Sequence, residues 1–212
     1  MKRLAILLSV VLSTSFAFGQ DKTADQFKNE GNEFVRQKNY SQALDSYNEA
    51  FKLWGDKPDT ATIFNAAICA LNVKNYDMAL EYFKKSSDFG YKKADADFRI
   101  TQIYKAQKKD EEYFNAVKAG YENYKNGKTA MLFKKELCKY YRNKGMAQFN
   151  EAAGIVAKMQ TAKADQMDKL KAEAKTKFDE AKALLDKALE VDPEDKGAKE
   201  ISAKVEASKA TL

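Results

Sequence analysis

The sequence predicts an all-α chain, and three observations predict it. Among 212 residues there are 2 Pro and 9 Gly, too few for the many tight turns of an all-β protein. Charged residues make up 32% and hydrophobic residues 44%, with Ala, Lys and Glu plentiful, which is the material of amphipathic helices around one well-buried core. Third, Lys38-Asn39-Tyr40-x-x-Ala43-Leu44-x-x-Tyr47 recurs 36 residues later as Lys74-Asn75-Tyr76-x-x-Ala79-Leu80-x-x-Phe83. A fixed period of this size marks stacked helical hairpins, because one hairpin cannot bury its own apolar face.

The first element is an address. Lys2 and Arg3 precede the apolar run from Leu4 to Leu12, and the segment ends in the small-residue pattern Ala17-Phe18-Gly19. This is the anatomy of a secretory signal peptide over residues 1–19, with cleavage after Gly19 leaving Gln20 at the new amino terminus. An uncleaved anchor is the alternative, but a spanning helix wants about 20 apolar residues and Ser9, Ser13, Thr14 and Ser15 interrupt this run. The mature chain, 20–212, is expected as a single domain in the periplasm of a Gram-negative bacterium or outside the cell, without membrane insertion. Removing Lys2 and Arg3 leaves 35 Lys or Arg against 31 Asp or Glu, a balance of +4 that reads as scattered and offers no footprint for nucleic acid or a membrane surface.

The hairpins follow in order. In the first, Phe27, Gly31 and Phe34 precede the Lys-Asn-Tyr turn and are matched at the same offset by Ile63, Ala67 and Ala70 of the second; Ala50 is matched by Ser86. Small residues sit where two helices must approach closely. The pattern Phe27-x-x-x-Gly31-x-x-Phe34 followed by Tyr40-x-x-Ala43-x-x-x-Tyr47-x-x-Ala50 resembles the tetratricopeptide repeat, and with the leader an exported bacterial member is expected. The resemblance implies a right-handed superhelix of hairpins, with repeats at about 24–57, 60–93, 94–127 and 132–193. It is specific for fold and broad in function. The third unit is looser, since Tyr113 and Gly120 replace the small-residue pair; Lys109-Asp110-Glu111-Glu112 is expected as its turn.

The fourth unit departs from the pattern. Gly31 to Ala43 spans 12 residues, whereas the equivalent Gly145 to Ala181 spans 36. Phe149, Ala152, Val156 and Met159 form one narrow apolar stripe, and Met167, Leu170, Ala174, Phe178 and Ala181 form another, so an extended antiparallel hairpin paired as a coiled coil is expected, turning near Thr161 to Asp165. Sharing the extra residues between two helices gives an arm reaching roughly 18 Å beyond an ordinary repeat. Asp192-Pro193 is expected to cap and open a last helix, 194–210, whose Ile201 and Val205 cover the end of the array.

For function, the exclusions come first. With no His, Ser-His-Asp and Cys-His nucleophile systems and His-based zinc centres are absent, so no enzyme, no cofactor and no metal are expected. Cys69 and Cys138 fall on hairpins several helix layers apart, too far for a disulfide, and are expected as buried thiols. Stacked hairpins present their first helices along a concave groove suited to a protein or peptide. In chaperone-binding members of the family, Lys, Asn and Arg side chains grip a partner's terminal carboxylate; carried onto this chain, the resemblance places Lys28, Asn32, Asn65 and Arg99 in those roles. Asp95 stands where a further Lys belongs and would repel the same anion. Phe64, Ile68 and Leu71 would line the groove of the second repeat, either as anchors for a partner or packed against the next repeat. The function expected is a non-catalytic, exported protein-binding scaffold; the alternative is a structural subunit that self-assembles, or joins an envelope complex, through the extended hairpin.

Overall fold

Three turns of near-identical backbone organise the hairpins over residues 24–123. Lys38, Lys74 and Lys108 each adopt a left-handed conformation, with φ of 59°, 60° and 57°. The N–H of each bonds back to the carbonyl three residues earlier, and the N–H of the next residue to the carbonyl five earlier, as in Asn39 to Phe34 O at 2.8 Å and Asn75 to Ala70 O at 2.9 Å. This closes the last carbonyls of one helix, and the side chain of Asn39 or Asn75 then accepts from an N–H of the next, at Gln42 and Met78.

The computed structural model describes residues 22–212; the expected signal peptide lies outside them. The described residues form nine helices and no strand: α1 Ala24–Arg36, α2 Tyr40–Trp54, α3 Thr60–Asn72, α4 Tyr76–Asp88, α5 Lys93–Ala106, α6 Asp110–Asn123, α7 Gly127–Met159, α8 Ala164–Val191 and α9 Lys196–Lys209. Each packs on the next in sequence, and α7 also touches α5 and α9. No described helix is long and apolar enough to cross a membrane.

Two cores result. The first gathers Ala43, Tyr47, Phe64, Ala67, Leu80, Phe83 and Ile103 from α2 to α5. The second gathers Val117, Leu137, Ala152, Phe178, Ala181, Leu185 and Val205 from α6 to α9, and Tyr104 packs against both. Close approach rests on glycine where the repeat pattern places it: a Cβ on Gly31 would meet the Tyr47 ring at 2.5 Å, and one on Gly145 would meet Leu185 Cγ at 2.9 Å. The match of Gly31 to Gly145 across the insertion is therefore a match of contacts.

The last hairpin has helices of 33 and 28 residues, so α7 runs for about 50 Å. The two pack antiparallel, with the rings of Phe149 and Phe178 5.9 Å apart, and turn over residues 160–163. Ile155, outside the expected stripe, is buried with Ala152, while Val156 is only half-buried. Two boundaries differ from expectation. Asp110 opens α6, leaving 107–109 as the turn, so Asp110, Glu111 and Glu112 sit in the first helical turn where the helix dipole favours acids. Asp192 ends α8, and it is Asp195 that caps α9, accepting from Ala198 N at 2.7 Å. Its carboxylate faces Arg142, a partner that sequence spacing does not reveal. Both cysteines are buried free thiols; burial pushes the Cys69 thiol up to about 11.

Candidate functional site

A cavity of about 550 Å³ opens across the first helices of three hairpins, α3, α5 and α7. Phe64 of α3, Phe98 of α5 and Leu132 of α7 supply its apolar surface; Lys92, Arg99 and Lys135 supply cations, opposed by Asp95 and Glu136.

The residues singled out from sequence divide into two groups. Phe64 and Arg99 line this cavity. Arg99 is exposed and donates to Gln102 Oε1 at 3.1 Å. Phe64, expected as an anchor or as packing, packs largely into the core while its remaining surface lines the cavity: it is 8% exposed and forms edge-type contacts with Phe83 and Tyr91 at 5.6 and 6.0 Å, with Lys92 Nζ above it at 4.7 Å. Ile68 and Leu71 lie half-buried against the same core.

Lys28, Asn32 and Asn65 are not in the cavity lining. Lys28 Nζ lies 3.2 Å from Asp25 and 3.7 Å from Asp59, over the ring of Trp54, so two carboxylates already answer its charge. Asn32 accepts from the hydroxyl of the fully buried Tyr47 at 2.8 Å. It satisfies a phenol that burial, chiefly, pushes up to about 12. Asn32 thus ties α1 to α2, while Asn65 of α3 is exposed. Asp95, out of place in a carboxylate grip, accepts from Thr129 at 2.6 Å and so joins α5 to α7.

The groove residues that sequence reasoning passed over lie on α7. Residues 125–144 contain seven Lys or Arg and a single Glu, Glu136. That local imbalance was legible, but it was averaged into a scattered whole-chain charge. Glu136 accepts from Lys105 Nζ at 2.5 Å and from Tyr113 at 2.6 Å. Burial works against its ionisation, yet these two donors hold its carboxyl below the ordinary range.

One cluster has metal-ligand residue types, Cys138, Asp192 and Asp195. Its charges are already matched: Lys134 reaches Asp192 at 3.1 Å, Arg142 reaches Asp195 at 2.5 Å, and the Cys138 thiol donates to Asp195 at 3.3 Å. Burial first, then the Asp195 bond, pushes that thiol up to about 12, so it is a poor thiolate ligand. The cluster is a structural clasp between α7 and the start of α9.

No protein-family model matches the sequence, and no curated protein is similar to it. Solved structures are. A tetratricopeptide-repeat protein from Bacteroides fragilis is 23% identical, with a TM-score of 0.57 over 87% of this chain and 98% of that one. A protein of Bacteroides ovatus is 12% identical, with a TM-score of 0.51 over 89% of this chain and 100% of that one. Repeat spacing, paired glycine contacts and these likenesses agree: the chain has the tetratricopeptide-repeat fold, an all-α right-handed superhelix of hairpins with an extended last hairpin and a C-terminal covering helix.

Proposed function

We propose that this chain is a non-catalytic, exported scaffold that holds a protein or peptide segment in the groove formed by its first helices, with the α7–α8 arm as a second docking face. The cavity across α3, α5 and α7 carries this reading, because it joins an apolar surface to a rim of charged donors on a preformed surface. Rigid hairpins lower the ordering cost of association, so a few anchors suffice. The absence of His and the ordinary pairing of the carboxylates into ion pairs favour binding over catalysis. Export rests on the leader read in residues 1–19; mass spectrometry of the mature protein should find Gln20 at its amino terminus.

The test is an affinity capture from a cell-envelope extract using the mature chain, an Arg99→Ala, Lys135→Ala groove variant, a Lys28→Ala, Asn65→Ala variant and a deletion of residues 156–175. A partner retained by the arm deletion and lost with either groove variant supports the reading, provided helicity is unchanged. A partner lost only with the arm deletion, or a dimer that disappears with it, would move function to the extended hairpin and to assembly.

A further inference from the structure

We infer that the exposed face of α7, with the α5–α6 turn beside it, docks an acidic extended peptide segment that carries one large aliphatic side chain. This rests on the scaffold reading above and names its partner by chemistry.

Three neighbouring cavities meet on this face. Leu132 and Lys135 line both the cavity toward α5 and one toward α9, and Lys139 lines the latter together with a third, of about 470 Å³, under the α5–α6 turn. Four of the five carboxylates along these walls are ion-paired, Glu136 with Lys105, Asp110 with Lys144, Asp192 with Lys134 and Asp195 with Arg142, and Asp95, bonded to the Thr129 hydroxyl, is the one that keeps its charge. The surplus is cationic. Lys92, Arg99, Lys108, Lys109, Lys135 and Lys139 line the same cavities and form no ion pair among the described residues. Lys108 and Lys109 approach from the turn and Lys139 from the opposite wall, so like charges converge on one concave space, where the field is focused and an anion relieves the repulsion.

The apolar component selects the class of anion. Leu132 and Met131 are 43% and 71% exposed at the centre of this face. The tyrosines nearby are committed inward, Tyr140 stacked on Phe114 at 4.7 Å and Tyr113 bound to Glu136, so the face lacks the free aromatic platforms that bases would use. Aliphatic anchors beside lysines suit a peptide. The spacing agrees: Lys135 and Lys139 are one helical turn apart, about 6 Å along the axis, and alternate side chains of an extended strand are about 6.6 Å apart. Acidic side chains at every second position can therefore meet successive lysines while an aliphatic residue reaches Leu132.

The test is fluorescence anisotropy with a short labelled peptide of alternating Glu and Ser around a central Leu. Its controls are the Gln counterpart and a single-stranded oligonucleotide of equal charge. The acidic peptide should bind at least about tenfold more tightly than the Gln peptide, weaken as salt rises, and lose at least about tenfold with Lys135→Gln, Lys139→Gln and about threefold to tenfold with Leu132→Ser. Circular dichroism of each variant excludes unfolding as the cause. Lys28→Ala, Asn65→Ala should change affinity by less than about twofold. Loss with that variant and retention by the α7 variant would overturn this site while leaving groove recognition intact. Equal binding of the Gln peptide, tighter binding of the oligonucleotide, or no binding of the acidic peptide would overturn the acidic-peptide assignment, and the envelope capture would still decide the scaffold reading separately.

Discussion

The two halves of the array solve the same packing problem by different means. From α1 to α4, short helices are closed by a repeated turn and a repeated asparagine cap, and ion pairs within a helix turn predominate, as in Glu33–Arg36, Glu49–Lys52 and Glu81–Lys85. From α6 to α9, long-range ties stand beside the local pairs: Lys134–Asp192, Arg142–Asp195, Lys144–Asp110 and Lys209–Asp179 connect residues 30 to 58 positions apart. Local closure lets the first half be read unit by unit. The second half is assembled by contacts that exist only once α7, α8 and α9 have come together, so its stability should be more sensitive to single changes.

Between the halves lies an aromatic junction. Phe133 of α7 is fully buried, 5.2 Å from Phe98 of α5 in an edge arrangement and stacked on Tyr124 at 5.6 Å. It sits directly over Gly120, where a Cβ would lie 2.1 Å from the ring. The two cores are thus joined through α5 and this ring.

The largest effect is expected from Phe178→Ala, which empties the centre of the arm and should cost about 3–5 kcal/mol. Hydrogen exchange should show α7 to α9 losing protection while α1 to α4 keep theirs; uniform loss would erase the distinction between halves. Gly120→Ala should cost about 2–3 kcal/mol by displacing Phe133, partly offset by better helix propensity, and should split one thermal transition into two. Acid should act on the second half first. Burial works against ionisation of Asp195, but Arg142, the Ala198 N–H and the Cys138 thiol together hold its carboxyl below the usual range, as Lys105 and Tyr113 do for Glu136. A depressed folded-state value stabilises fully above the unfolded value near 4 and is lost as pH falls through the folded one. Below about pH 4, exchange should therefore rise in α7 and α9 before α1 to α4, and Asp195→Asn should flatten that dependence.

Two smaller effects probe the first half. Tyr47→Phe leaves Asn32 without its hydroxyl partner and should cost about 1 kcal/mol, read as a shift in denaturant midpoint at constant slope. Lys74→Gly relieves a left-handed lysine at the cost of a looser unfolded chain. The net gain expected is about 0.5 kcal/mol, and the same change at Lys38 or Lys108 should give a similar value if the turns are energetically equivalent.

The candidate site was less legible than the scaffold around it. Asn32 stands at a position that suits recognition of a carboxylate, yet its side chain binds Tyr47, because a phenol buried in the first hairpin needs a partner. Lys28 is drawn to Asp59 at the start of α3, a pairing that spans the first hairpin and leaves no trace in spacing. The surplus cations of α7 were present in the chain as seven Lys or Arg within twenty residues. Which of them keep an unanswered charge depended on Asp110, Asp192 and Asp195 arriving from other helices.

By itself, the sequence determined what is local and periodic: helices of 3.6-residue repeat, the Lys-Asn-Tyr turns, the small residues where helices touch, and the insertion that lengthens the last hairpin. Backbone hydrogen bonding and side-chain volume act over a few residues, and a repeated unit writes them twice. Tertiary structure alone decided which charges neutralise each other, that Asp195 and not Asp192 caps α9, that Phe64 faces a core, and where the cations left over gather. Electrostatic and packing partners are chosen by distance in space, and the long arm brings together residues that the chain keeps far apart.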